Sequence, residues 1–121
     1  MTETAYEEIS AQQLQQRLAQ EGPDNGDPSD GYALVNVLGE KSFRREHIPD
    51  SINIPQGDED AYERRFSRDK EIIVHCASRD CDASAKAAQE LARRGFTQVE
   101  RFTAGIKGWK SAGGDLDSGR L

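Results

Sequence analysis

Two cysteines, Cys76 and Cys81, are the side chains of this sequence best suited to covalent chemistry. They bracket the run His75-Cys76-Ala77-Ser78-Arg79-Asp80-Cys81-Asp82. Cys76 follows a β-branched stretch, residues 71–75, that reads as a central strand. Asp82 reads as the N-cap of a helix over residues 82–94, with Gly95 placed as its C-terminal cap. The residues between must turn sharply. A thiol at such a strand-to-helix turn faces unpaired backbone N–H groups and the positive end of a helix dipole, which favour its thiolate. The same amides can hold an anion or carry charge on sulfur. Cys76 is therefore the candidate nucleophile, and Ala77, Ser78, Arg79, Asp80 and Cys81 form the candidate substrate-binding loop. Arg79 is the charged loop residue expected to touch substrate.

Cys81 admits two readings. As a resolving thiol it would attack a modified Cys76 and leave an intramolecular disulfide. Alternatively it points away from the loop and takes no part. No metal or organic cofactor is expected. A zinc site would need His47 and His75 beside the two cysteines, and His75 should face the opposite side of its strand from Cys76. A phosphatase loop would need an arginine six residues after the cysteine, where Asp82 stands. His47 is expected to organise its own turn, and His75 to be a strand residue satisfied by a neighbour. Arg44, Arg45, Arg64 and Arg65 read as solvated faces, and Trp109 with Ile106 as the core anchor of a final helix.

The elements that must position these residues follow from periodicity. Residues 7–10 form a short strand leading into Ser10, the N-cap of a helix to about residue 20 with Leu14 and Leu18 on one face. A Gly/Pro/Asn/Asp-rich loop follows over 21–31. Residues 32–38 are a buried strand, 40–46 a surface helix, 51–54 a strand and 58–66 a helix. After the cysteine loop, the helix shows Ala83, Ala87, Ala88, Leu91 and Ala92 on or near one face, small enough for close approach to a sheet. Residues 97–102 and 105–111 complete the pattern as strand and helix. Alternation of strands with helices predicts an α/β domain with a mostly parallel sheet. One domain is expected over 1–121, with its core over about 6–113 and a frayed tail over 114–121.

Three stretches in order resemble the rhodanese family, over roughly residues 7–113. They are HIPDSINIP (47–55), IIVHCASRDCDASAKAAQEL (72–91) and TAGIKGWKSAG (103–113). The resemblance implies a rhodanese-like α/β fold, a central sheet with helices on both faces. It also implies a sulfurtransferase in which Cys76 accepts sulfane sulfur as a persulfide and passes it to a thiol or other nucleophile. The donor would be a small molecule or a protein. A non-catalytic or redox-regulated rhodanese-type interaction module is the alternative. The chain departs from the family where Asn36, Val37 and Leu38 replace Asp-Val-Arg, and where Cys81 replaces the arginine that often closes the loop. Asp80 and Asp82 repel a dianionic donor, so thiosulfate is expected to be a poor one.

Composition agrees with a solvated domain. Of 121 residues, 16 are basic and 22 acidic, a net charge of −6, so neither nucleic acid nor an anionic membrane is an expected partner. The mean hydropathy is −0.83, and no apolar run spans a membrane. Residues 1–9 lack the basic start and apolar segment of a signal peptide, which predicts a cytoplasmic protein with reduced thiols. Oligomeric state has no signature in the sequence.

Overall fold

The computed structural model describes residues 6–119. The readings of residues 1–5 and of 120–121 lie outside that range. Five strands form one parallel sheet: β1 (Glu7–Ile9), β2 (Tyr32–Asn36), β3 (Ile52–Asn53), β4 (Glu71–His75) and β5 (Gln98–Phe102), in the order β1-β5-β4-β2-β3. The helices are α1 (Ala11–Gln20), α2 (Glu40–Arg45), α3 (Asp60–Arg65), α4 (Ala83–Arg93) and α5 (Gly105–Ser111). This is the expected α/β architecture. β4 is central, paired over its whole length with β2 and along Glu71–Val74 with β5.

Side-chain alternation along the strands divides the core into two. Ala33, Val35, Ile72, Val74 and Val99 point one way, onto Tyr62 of α3, Phe66 at its C-cap, and Ala87, Ala88 and Leu91 of α4. Tyr32, Leu34, Ile73 and Phe102 point the other way, onto Leu14 of α1 and Ile106 and Trp109 of α5. Helices therefore cover both faces, and Trp109 with Ile106 anchors the last one, as expected. Ser10 caps α1 with a full capping box: its Oγ accepts from Gln13 N at 3.1 Å, and Gln13 Oε1 accepts from Ser10 N at 2.8 Å.

Two segments differ from expectation. β2 stops at Asn36 rather than Leu38, because the Leu38 amide turns to the Asn36 carboxamide oxygen at 2.9 Å. The tail is packed rather than frayed as far as it is described. His47 and Asp117 form an isolated antiparallel bridge, Trp109 Nε1 donates to Asp115 O at 2.7 Å, and Gly119 N donates to Arg44 O at 2.6 Å. Glycines here admit a chain that wraps the indole ring; they do not release it.

The glycine- and aspartate-rich loop before β2 is held from within. Lys70, fully buried, donates through Nζ to the carbonyls of Asp24, Asp27 and Asp30 at 2.7, 2.6 and 2.5 Å. A buried ammonium needs such partners, and three carbonyls from one loop fix its path.

Candidate active site

The candidate site is built where β4 ends. Cys76 is 1% exposed and belongs to the core cluster under α4. A turn returns the chain over it: Cys81 N donates to Ser78 O at 3.1 Å, so residues 78–81 close a β-turn. The turn brings the Cys81 sulfur into disulfide contact with that of Cys76, with their Cα atoms 6.4 Å apart, inside the range a disulfide spans. Cys81 points toward Cys76 and not away from the loop.

The other polar neighbours of the Cys76 sulfur are Cys81 O at 3.2 Å and Ser84 Oγ at 3.3 Å. These are a carbonyl and a hydroxyl. The expected ring of loop amides is not what meets the sulfur here, because the loop's own turn directs the Cys81 amide to Ser78 O. Asp82 stands at the N-cap of α4 as expected, but its side chain makes no capping bond and instead lies 3.6 Å from Lys86 Nζ.

The loop is clamped from below by α5. The amides of Ile106 and Lys107 donate to Cys76 O at 3.0 Å and Ala77 O at 2.8 Å. Gly105, at φ 68°, makes this approach possible: a Cβ there would lie 2.5 Å from Cys76 O and 2.7 Å from Ser78 N. A left-handed backbone and a close contact both demand glycine. Ala77 and Ser78 are thus committed to the α5 side. Arg79 and Asp80 stand at the exposed tip, with no hydrogen-bond or ion-pair partner among the described residues. Arg79 is free to meet a substrate, but it does not enclose the sulfur.

Two residues near the sulfur carried no flag in the sequence. Ser84 is fully buried in the first turn of α4. Arg101, on β5, is 9% exposed and donates through Nε to Ser84 Oγ at 2.9 Å and through Nη2 to Cys81 O at 3.1 Å. Its side chain shares the face of Val99 and so lies beneath α4. An arginine at an inward-facing position of a strand flanked on both sides was the available signal.

Beside the loop opens a cleft of about 350 Å³, lined by Leu38, Arg45, Glu46, Ala77, Ile106, Lys107 and Lys110 among others. Glu46 is engaged by Lys110 at 3.1 Å, while Arg45 and Lys107 have no ion-pair partner among the described residues. On a chain with an excess of acid, this cleft is locally basic. Arg45, expected only as a solvated face, borders it.

The histidines behave differently from each other. His47 organises its turn, as expected: Nδ1 lies 2.7 Å from Phe43 O and the ring stacks on Phe43 at 4.0 Å. His75 points to the opposite face from Cys76, tilted against Phe102 at 6.3 Å. The expectation that a neighbour satisfies it is overturned. Both ring nitrogens are buried without a partner, and burial pushes its pKa down to about 3.

A parallel sheet with a buried cysteine just past the end of its central strand, gripped between the starts of two helices, defines an α/β domain with a cysteine site at the carboxyl edge of the sheet. The rhodanese-like domain model matches residues 10–112, and the chain belongs to that family. It is 30% identical over 86 residues to an HTH-type transcriptional regulator of Mycobacterium tuberculosis, covering 71% of this chain but 38% of the regulator. It is likewise 30% identical over 81 residues to the thiosulfate sulfurtransferase GlpE of Pseudomonas syringae, covering 67% of this chain and 74% of that enzyme. The fold superimposes on the rhodanese-like domain of an Anabaena protein with a TM-score of 0.78 at 21% identity, covering 97% of this chain and 80% of that one.

Proposed function

We propose that this domain is a sulfurtransferase that carries sulfane sulfur on Cys76 and releases it with the help of Cys81. The observation that carries the reading is the meeting of the two sulfurs beyond the end of β4. The likeness to GlpE supports the class of chemistry.

The Cys76 thiolate attacks the outer sulfur of a persulfide donor. The donor's S–S bond breaks, a thiolate leaves, and Cys76 holds the persulfide. Two exits then exist. An external thiol can take the outer sulfur and return Cys76 to the thiolate. Alternatively the Cys81 thiolate attacks Cys76 Sγ, hydrosulfide leaves, and the Cys76–Cys81 disulfide forms. In that step the dithiol loses two electrons and the sulfane sulfur gains them, so a reducing thiol must restore the dithiol for another turnover. A reducing cytoplasm provides such thiols. The basic cleft beside Ala77 favours donors or acceptors that carry a carboxylate. Asp80 and Asp82, both exposed at the loop, oppose thiosulfate, which is expected to turn over slowly.

Intact-mass analysis tests this. After incubation with cysteine persulfide, thiosulfate or 3-mercaptopyruvate, Cys81→Ser should retain one added sulfur, wild type should release sulfide and end as the disulfide, and Cys76→Ser should acquire nothing. Identical products from wild type and Cys81→Ser would remove Cys81 from the mechanism. Absence of added sulfur from every form would sink the transferase reading. That second result, with slow and equal alkylation of both cysteines, would leave the redox-regulated interaction module, which the near-complete burial of Cys76 favours.

A further inference from the structure

Arginine can only donate hydrogen bonds, so its contacts in a short relay at the site leave the Ser84 hydrogen free: Ser84 Oγ accepts from Cys76 Sγ while that sulfur is a thiol, and can donate to it once it is a thiolate. Arg101 Nε donates to Ser84 Oγ, and Arg101 Nη2 donates to Cys81 O. These are the two oxygens that lie against Cys76 Sγ. The guanidinium therefore occupies a lone pair of the serine hydroxyl and leaves its hydrogen available for the sulfur. It also offsets the carbonyl dipole of Cys81, which alone would repel negative charge on Cys76.

We propose that Arg101 is a positioning residue for Cys76, acting through Ser84: it orients the Ser84 O–H toward the sulfur and stabilises the thiolate and the persulfide anion. The proposal rests on the reading of Cys76 as the reacting thiol. The groups facing the sulfur are few. Ser84 comes from α4, Arg101 from β5 and Cys81 from the loop. Arg79, Asp80 and Asp82 stand outward in solvent, Asp82 beside Lys86. Lys107 of α5 reaches the loop through its amide, and His75 lies across the sheet on the other face. Arg101 is the buried cation of this set, so its charge is the least screened by water.

The test is the pH dependence of iodoacetamide alkylation in the Cys81→Ser background, where Cys76 stays reduced and its sulfur remains beside the Cys81-position carbonyl. Arg101→Gln should raise the alkylation midpoint by about one pH unit and slow the reaction near neutral pH by about tenfold. Ser84→Ala should produce a similar shift. Combining them should add little, because both remove the same interaction. Arg101→Lys keeps a cation but not the two-pronged geometry, and should recover part of the shift; it serves as the arginine variant should Arg101→Gln fail to fold. A folded Arg101 variant with an unmoved midpoint overturns the proposal. So does a full additional shift when Arg101→Gln is placed on Ser84→Ala, since arginine would then act without the serine. This readout is of the thiol itself, so failure of persulfide formation with the predicted midpoint shifts intact would count against the proposed function and not against the relay.

Discussion

His75 sits directly before the candidate nucleophile and yet belongs to the opposite side of the sheet. Its buried, unpartnered ring remains neutral in the fold, with a pKa of about 3, whereas in an unfolded chain it titrates near 6.5. The unfolded state therefore binds the extra proton over the interval between these values. Stability contributed by this residue is complete above pH 6.5 and is lost as pH falls, at up to about 1.4 kcal/mol per pH unit. His75→Leu, similar in volume, should remove that loss. Chemical denaturation at pH 7.5 and pH 5 should show the variant losing about 2 kcal/mol less than wild type across the interval; equal losses would show that His75 is hydrated or partnered in solution. Arg101 and Ser84 make the contrasting case. They too are polar and buried, but each is spoken for, and what they are bonded to is the immediate surroundings of Cys76.

The strand-to-helix unit β4–loop–α4 holds Cys76, but α5 decides where the loop lies. Its second and third amides, those of Ile106 and Lys107, are given to the carbonyls of Cys76 and Ala77. Those bonds depend on Gly105, for which any side chain would intrude on the loop backbone. Gly105→Ala should force α5 and the loop apart, with a cost of about 2 to 4 kcal/mol from strain and broken hydrogen bonds. Thermal melting should register the loss, and Cys76–Cys81 disulfide formation should slow because the turn at 78–81 is no longer braced. A variant as stable as wild type would mean that the clamp is dispensable. β4 and α4 could be anticipated from sequence because β-branched residues and a face of alanines impose strong, local periodicities. The cysteine contact could not, since it depends on how far residues 78–81 turn. Ser84 and Arg101 escaped notice for the same reason: 17 residues separate them, and no local pattern encodes a hydrogen bond across α4 and β5. The tail was misread because Gly113 and Gly114 suggest fraying by composition, whereas Gly113 makes a left-handed turn at φ 87° and Gly114 lets the chain pass the indole of Trp109.

The protein is acidic as a body, and its charges are sorted. At the amino-terminal end of the sheet, Arg17 makes a paired contact with Glu71, 2.6 Å from each carboxylate oxygen, and holds Glu71 below the usual carboxylate range. Glu100, beside Glu71 on β5, is raised to about 7 by burial and by Glu71 itself. A carboxyl whose folded pKa exceeds its unfolded value costs stability as pH rises through the window from about 4.5 to 7, because the unfolded state releases its proton first. Glu100→Gln should therefore stabilise the domain at pH 8 by about 1 kcal/mol, a value discounted for the solvent that reaches this side chain, and should give no gain below pH 4.5. Denaturant midpoints at the two pH values check this; an equal gain at both would point to packing instead. The carboxyl-terminal end of the sheet is arranged the other way. Arg45, Lys107 and Lys110 gather at the cleft beside Ala77, whereas Asp80 and Asp82 are exposed at the loop itself, so a carboxylate is drawn to the cleft while a dianion is opposed at the loop.

The chain contains one tryptophan, Trp109, and it lies in the same seven-residue helix whose first turn grips the cysteine loop. Its indole is packed against Phe102 and tethered to the Asp115 carbonyl. Two backbone bonds and one helical turn connect the loop that holds the Cys76–Cys81 contact to this ring. Trp109 emission should therefore change when the Cys76–Cys81 contact is reduced, so that a fluorimeter can follow the loop in real time without a label.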